Sequence, residues 1–147
     1  MFKKNLSASD LNEKWGEDAL AMGWTAVPTS LFFLQNELQL NSTTLNILIN
    51  LLIHWWSTGD WPHPSQERIA KRMNVSTRTV QRGLTELEEL GLITKIKTPR
   101  DSMKYRGRNK YDLSKLIKKL NELTPEMKKA IDKGTRKIVK NVAIQTS

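Results

Sequence analysis

Cysteine is missing from the 147 residues, and histidine occurs only twice, as His54 and His63. That excludes disulfides and thiolate chemistry, and it leaves too few soft or imidazole ligands for an ordinary zinc site. Long apolar runs are missing as well. The longest, Leu45 to Trp56, contains two Asn and spans about a dozen residues, short of the ~20 a membrane helix needs. It reads as a buried helix, apolar on most sides, that its own domain or a partner must cover. The start, Met1-Phe2-Lys3-Lys4, runs into Asn5–Asp10 without an apolar core, so no secretory signal and no membrane partner are expected, and the chain is expected in the cytoplasm. There is no Gly-rich phosphate cradle, no nucleophile beside a base and no carboxylate pair among apolar residues. Neither an enzyme nor a cofactor is therefore expected.

Basic residues are scarce in the first part of the chain and abundant afterwards. Residues 1–60 hold 3 of the 24 Lys+Arg and 6 of the 15 Asp+Glu, so the remainder carries a net charge of +12 within an overall +9. Such asymmetry suits a nucleic-acid partner, because neutralised phosphates release condensed counterions. A solvated lysine face is the plain alternative for the tail lysines, Lys115 to Lys140.

The most specific pattern runs from Ile69 to Val80 and on to Gly91. Ile69, Ala70 and Met73 share one helical face, and Val80, Leu84 and Leu87 share one face of a following helix. Asn74 tolerates the left-handed backbone that ends a helix, and Ser65 and Ser76 can cap the two helices. Ala70 is small where the helices must cross. Thr77, Arg78, Gln81, Arg82 and Thr85 fall on the outward face of the second helix, a polar and basic surface of the kind that reads base edges. Beyond Gly91, strand-like runs Leu92–Lys97 and Arg108–Leu113 flank the turn cluster Thr98–Ser102, with Asn109, Tyr111 and Leu113 at the period of a half-buried strand.

From about Pro28 to Leu113 the chain resembles the winged helix-turn-helix proteins of bacterial, phage and plasmid regulators and replication initiators. The residues that carry the resemblance are Pro64-Ser65-Gln66, Ile69-Ala70, Asn74-Val75-Ser76, Thr79-Val80-Gln81-Arg82, Leu87 and Leu90-Gly91-Leu92-Ile93. Asn74 departs from a pattern that more often has Gly. The resemblance implies a mainly α fold with a small β-hairpin, helical extensions at both ends, and double-stranded DNA as partner. Arg78, Gln81 and Arg82 would read bases, with Thr77 and Thr85 beside them, and Ser65, Gln66, Ser76 and Thr79 would position the DNA backbone. Lys95, Lys97, Arg100, Lys104, Arg106, Arg108 and Lys110 would grip flanking phosphates or the adjacent minor groove. A homodimeric transcriptional regulator on a palindromic site is the leading expectation, since one small module rarely buries enough surface for tight specific binding. An origin-binding replication initiator and a protein-interaction module are the alternatives.

The remaining segments divide the chain into an arm (1–25), the winged domain (26–113) and a basic helical extension (114–147). The arm reads as a weak helix or flexible segment. An apolar stripe predicts a helix from Val27-Pro28 to Leu40, and Asn41–Thr44 caps the next one, running to about Trp56. Trp55, Trp56 and Trp61 are expected in the core rather than as a stacking platform for bases. His54 is expected at a core or interface position and His63 in a structural one. Glu86, Glu88 and Glu89 are expected to face solvent. Leu113, Leu116, Ile117 and Leu120 mark one helix; Thr124-Pro125-Glu126 predicts the start of another, ending near Gly134 or Val139, with Ala143–Ser147 frayed.

Overall fold

The computed structural model describes residues 5–145, with side chains described over 5–134. Its elements are α1 (Ala8–Trp15), α2 (Thr29–Phe33), α3 (Ser42–Ile53), α4 (Gln66–Met73), α5 (Thr77–Glu89), β1 (Thr94–Ile96), β2 (Lys110–Asp112) and α6 (Ser114–Gln145). α3, α4 and α5 pack on one another, the two strands form an antiparallel hairpin, and α6 leans on α2. This is the mainly α winged helix-turn-helix expected from the sequence, with helical extensions at both ends.

Caps fix where the central helices begin. The Ser65 hydroxyl accepts from the Arg68 N–H at 3.3 Å and the Ser76 hydroxyl from the Thr79 N–H at 3.1 Å. Asn41 and Thr44 cap α3 reciprocally, side chain to backbone in both directions. Asn74 ends α4 at φ 56°, ψ 47°, the left-handed conformation Asn adopts more readily than other side chains. Gly91, at φ 70°, does the same after α5. There the Lys119 ammonium donates to the Leu90 carbonyl at 3.0 Å, placing a cation at the negative end of the helix. One of the tail lysines thus has a structural partner.

The core joins all layers. Ile47, Leu48 and Leu51 of α3, Ile69 of α4, Val80 and Leu87 of α5, Leu92, Ile93 and Leu113 are fully buried, with Leu31 and Leu34 beneath. Truncating one such leucine to Ala costs about 2–5 kcal/mol. α3 is therefore covered largely by its own domain. Gly83 lies at the crossing of α5 with α3, where a Cβ would stand 2.1 Å from Ile47 Cδ1. No spacing rule in the sequence singles that glycine out.

Several boundaries differ from expectation. The apolar stripe after Pro28 is helical only over Thr29–Phe33; turns follow, with Gln39 at φ 58°. α3 ends at Ile53 rather than near Trp56, and the chain then turns. Trp55 packs on Trp61 with ring centroids 5.5 Å apart, whereas Trp56 is 85% exposed and does not belong to the core. Thr124-Pro125 does not start a new helix. α6 runs through it, because the Thr124 hydroxyl donates to the Leu120 carbonyl and Pro125 removes a single N–H without breaking the turn. Gly134, at φ −150°, interrupts the helical backbone near the expected end. The side chains of Arg136, Lys137 and Lys140, and part of the end expected to fray, lie outside the described residues. The arm holds a real helix: the Ser7 hydroxyl accepts from the Asp10 N–H at 3.1 Å while the Asp10 carboxylate accepts from the Ser7 N–H at 2.9 Å. α1 buries no residue.

Candidate nucleic-acid interface

α5 presents two chemically distinct faces. Val80, Gly83, Leu84 and Leu87 are buried, while Arg78, Gln81, Arg82 and Thr85 are exposed, as a 3.6-residue period dictates. The outward face is fixed rather than merely solvated, because the inward one is locked against α3 and α4. Thr77 is half-buried at the first turn. The Thr79 hydroxyl lies 3.0 Å from Ser76 Oγ, and the Thr85 hydroxyl donates to the Gln81 carbonyl at 3.0 Å. Those three hydroxyls are held in place by local bonds.

The hairpin stands beside this face. Thr94 pairs with Asp112, Lys95 with Tyr111 and Ile96 with Lys110. Glu88 anchors the hairpin to the helix, its carboxylate accepting from the Lys95 N–H at 2.7 Å; Glu86 accepts from the Asn41 amide at 3.4 Å. Two of the acidic triplet therefore carry structural bonds instead of simply facing solvent. At the wing tip, Arg106 (φ 51°) and Gly107 (φ 74°) are both left-handed and the Arg108 N–H donates to the Tyr105 carbonyl at 2.9 Å. Two successive positive φ angles inside that bond make a type I′ turn. Gly accepts this without strain, whereas Arg106 adopts it at a cost; its side chain is exposed.

Between α4, α5 and the wing lie two adjoining grooves. One, of about 540 Å³, is lined by Ser65, Gln66, Thr77, Gln81, Arg106 and Arg108, together with Arg68. The other, of about 300 Å³, is lined by Gln66, Gln81, Thr85 and Lys95 with Glu88. Asn109 and Tyr111 line both. Tyr111 is buried at their base, where Gln66 Nε2 donates to its hydroxyl at 2.9 Å. Burial raises the Tyr111 phenol above its ordinary value of 10.0, although its hydrogen bonds to Gln66 and Asn109 oppose the shift. The hydroxyl stays neutral, and Gln66 is committed to it.

The wing cations separate by geometry. Arg108 Nε donates to the Tyr105 carbonyl at 2.9 Å and Nη2 to the Lys104 carbonyl at 3.3 Å, so this guanidinium braces the wing from within. Lys104 pairs with Asp60 at 3.3 Å, and Lys104 and Lys110 each lie 5.3 Å from the Tyr105 ring centroid. Lys95, Lys97, Arg100 and Arg106 are exposed. Arg78 and Arg82 lie on the outer face of α5 and line neither groove. Arg68, Asn109 and Tyr111 were not legible as site residues in the sequence; the first-turn position of Arg68, next to a cap, was the available signal for it. Among the described residues, no group of three or more His, Cys, Asp or Glu could hold a metal ion, and no helix is long and apolar enough to cross a membrane.

A helix-turn-helix followed by a basic hairpin, with the second helix exposed on its polar face, is a winged helix-turn-helix, a fold that sets one helix into the DNA major groove. Residues 38–93 match the family of helix-turn-helix domains. The chain is similar to the N-terminal domain of DnaD protein from Geobacillus kaustophilus HTA426, with 22% identity over 88% of this chain and 99% of that one and a TM-score of 0.53. It is also similar to YusO protein from Bacillus subtilis, with 19% identity over 96% of each chain and a TM-score of 0.44. No curated protein matches the chain.

Proposed function

We propose that the chain is a sequence-specific double-stranded DNA-binding protein acting in the cytoplasm as a transcriptional regulator, with residues 26–113 as its DNA-binding unit. The observation that carries this is the exposed row Arg78, Gln81, Arg82 and Thr85 on a helix whose opposite face is locked in the core, beside a wing on which Arg106 is exposed. α5 enters the major groove by its first turns. Arg78, Gln81 and Arg82 read bases, as guanidinium and amide groups pair bidentately with guanine and adenine edges. Thr77 and Thr85 stand beside them, Ser65, Ser76 and Thr79 meet phosphates, and Lys95, Lys97, Arg100 and Arg106 hold the flanking backbone. Gln66, Lys104, Arg108 and Lys110 shape the wing and its floor, with secondary contacts to DNA.

A homodimer on a palindromic site completes the reading. The exposed apolar residues Leu6, Trp15, Met22, Trp24 and Phe32 lie outside the α3 core, and leaving them in water costs roughly 25 cal/mol per Å² of apolar area. They support an interface on the arm and on α2. Sedimentation at micromolar concentration should show a dimer, and half-sites should lie about one helical turn, ~34 Å, or a multiple apart. Selection of bound sequences from random duplexes tests the whole proposal. A single palindrome is the expected result. Direct repeats would indicate an origin-binding initiator instead, and no enrichment would overturn sequence-specific binding.

A further inference from the structure

Behind the wing, on the other side of Arg68 and Arg108 from the recognition groove, lies a cleft of about 430 Å³ lined by His54, Trp56, Ser57, Asp60, Trp61, His63, Arg68 and Arg108. Its size falls within the range of small-molecule sites. Both histidines of the chain line it. Its walls include two indoles: Trp61 is held by its contact with Trp55, while Trp56 is exposed and tied back by its Nε1, which donates to the Ile53 carbonyl. Arg72 Nη2 lies 3.1 Å from His54 Nε2. Arginine can only donate, so Nε2 accepts and the ring proton sits on Nδ1. Burial, and then the charges of Arg72, His63, Arg108 and Arg68, hold His54 below its usual value of 6.5, keeping it neutral. The one carboxylate of the lining, Asp60, is already paired with Lys104. His63 Nδ1 is buried without a hydrogen-bond partner, a state few buried polar atoms show.

Cationic guanidiniums without a free carboxylate select an anion, indole faces select a flat ring, and His63, packed edge-on against Tyr105, keeps one ring nitrogen, Nδ1, with a hydrogen bond still to make. We propose that this cleft is a nucleotide site, which takes a nucleobase against Trp56 and Trp61 and its phosphate at Arg68 and at the three N–H groups that Arg108 does not use on the Tyr105 and Lys104 carbonyls. Any base offers a π-face for stacking, and a guanidinium matches phosphate bidentately. Arg68 and Arg108 also line the recognition groove, so a nucleotide here lies next to bound DNA. The nucleotide has two possible sources: an unpaired strand continuing past the wing, which rests on the DNA-binding reading, or a free mononucleotide, which does not.

The two histidines give two imidazole signals in an NMR spectrum, and both report on the cleft. Titration of the full chain with adenosine 5′-monophosphate should shift both signals, with inorganic phosphate or adenosine alone binding about ten-fold or more weaker. Trp56→Ala, a change at an exposed side chain, should weaken nucleotide binding by about ten-fold or more, as loss of one stacking partner does, while duplex binding stays unchanged. An unpaired oligonucleotide that binds at least ten-fold tighter than the mononucleotide identifies the strand as source, and equal affinity identifies the free nucleotide. The proposal is overturned if neither shifts His54 and His63 at millimolar concentration, or if Trp56→Ala binds as the parent does. Nucleotide binding without duplex binding would overturn the regulator reading and leave the cleft site standing.

Discussion

Gly83→Ala is the substitution whose outcome depends most directly on how α5 is seated. On an exposed helix the change stabilises by about 0.8–1.0 kcal/mol, because Gly is a poor helix former. At this position the new Cβ would lie 2.1 Å from Ile47 Cδ1 and 3.6 Å from its Cγ1, when carbon atoms sit comfortably at about 3.5–4.0 Å. Ile47 is wholly buried, so its methyl cannot swing into water; either it takes another rotamer in a full core or α5 moves outward. Overpacking of this kind costs about 1–3 kcal/mol. Set against the propensity gain, the net effect is about 0–2 kcal/mol of destabilisation. In a domain of this size each kcal/mol lowers Tm by about 2–4 °C. Ile47→Val removes the colliding methyl and alone costs about 0.5–1.5 kcal/mol. In the double variant the alanine gain is realised and the clash is gone, so urea unfolding of both singles and the double should give a favourable coupling of about 1–3 kcal/mol. Arg78, Gln81 and Arg82 ride on the same helix, so Gly83→Ala should also weaken binding of a selected duplex, and Ile47→Val should restore it. A Gly83→Ala variant stabilised by about 1 kcal/mol, with no coupling to Ile47→Val, would refute the seating of α5 described here.

Other outcomes follow from the interface. With a net +12 over residues 61–147 and ~6–10 phosphates contacted, affinity measured by fluorescence anisotropy should fall about 10³- to 10⁵-fold between about 50 and 200 mM salt; a flat response would remove the DNA-binding reading. Replacing Arg82 or Gln81 by Ala should cost ~1–3 kcal/mol and relax preference at one defined base position, whereas Arg106→Ala or Lys97→Ala should weaken all sequences alike. The same uniform loss from both kinds of change would withdraw base reading from α5. His54 is depressed below 6.5 in the folded chain by burial and by Arg72, so the unfolded chain binds its proton first as pH falls. That contribution to stability is complete above about pH 6.5 and is lost as pH drops through the lower folded value. Chemical denaturation from pH 7.5 to 5 should show the decline, and His54→Gln should flatten it.

How far sequence alone reaches is set by the range of each interaction. α4, its turn and α5 are legible because local chemistry specifies them: Ser65, Asn74 and Ser76 act on atoms within a few residues of themselves. Gly83 is illegible for the opposite reason, since the atom that forbids its Cβ belongs to Ile47, on another helix. Trp55 and Trp56 look alike in an apolar run, yet α3 stops at Ile53 and the following turn sends one indole inward and the other into solvent. Thr124-Pro125 carries the signature of a helix start, but the same hydroxyl bonds backward to Leu120 and the helix continues. The wing is the sharpest case. Lys95, Lys97, Arg100, Lys104, Arg106, Arg108 and Lys110 are equivalent as a run of basic residues, and only geometry divides them. Arg108 uses two of its five donors on the carbonyls of Tyr105 and Lys104, and Lys104 pairs with Asp60, whereas Arg106 is exposed and lines the groove between α4, α5 and the wing. A count of positive charge therefore finds the basic surface as a whole. Which of those charges are tied to the protein depends on the carbonyls and the carboxylate that the loop brings beside them, and no charge count contains that.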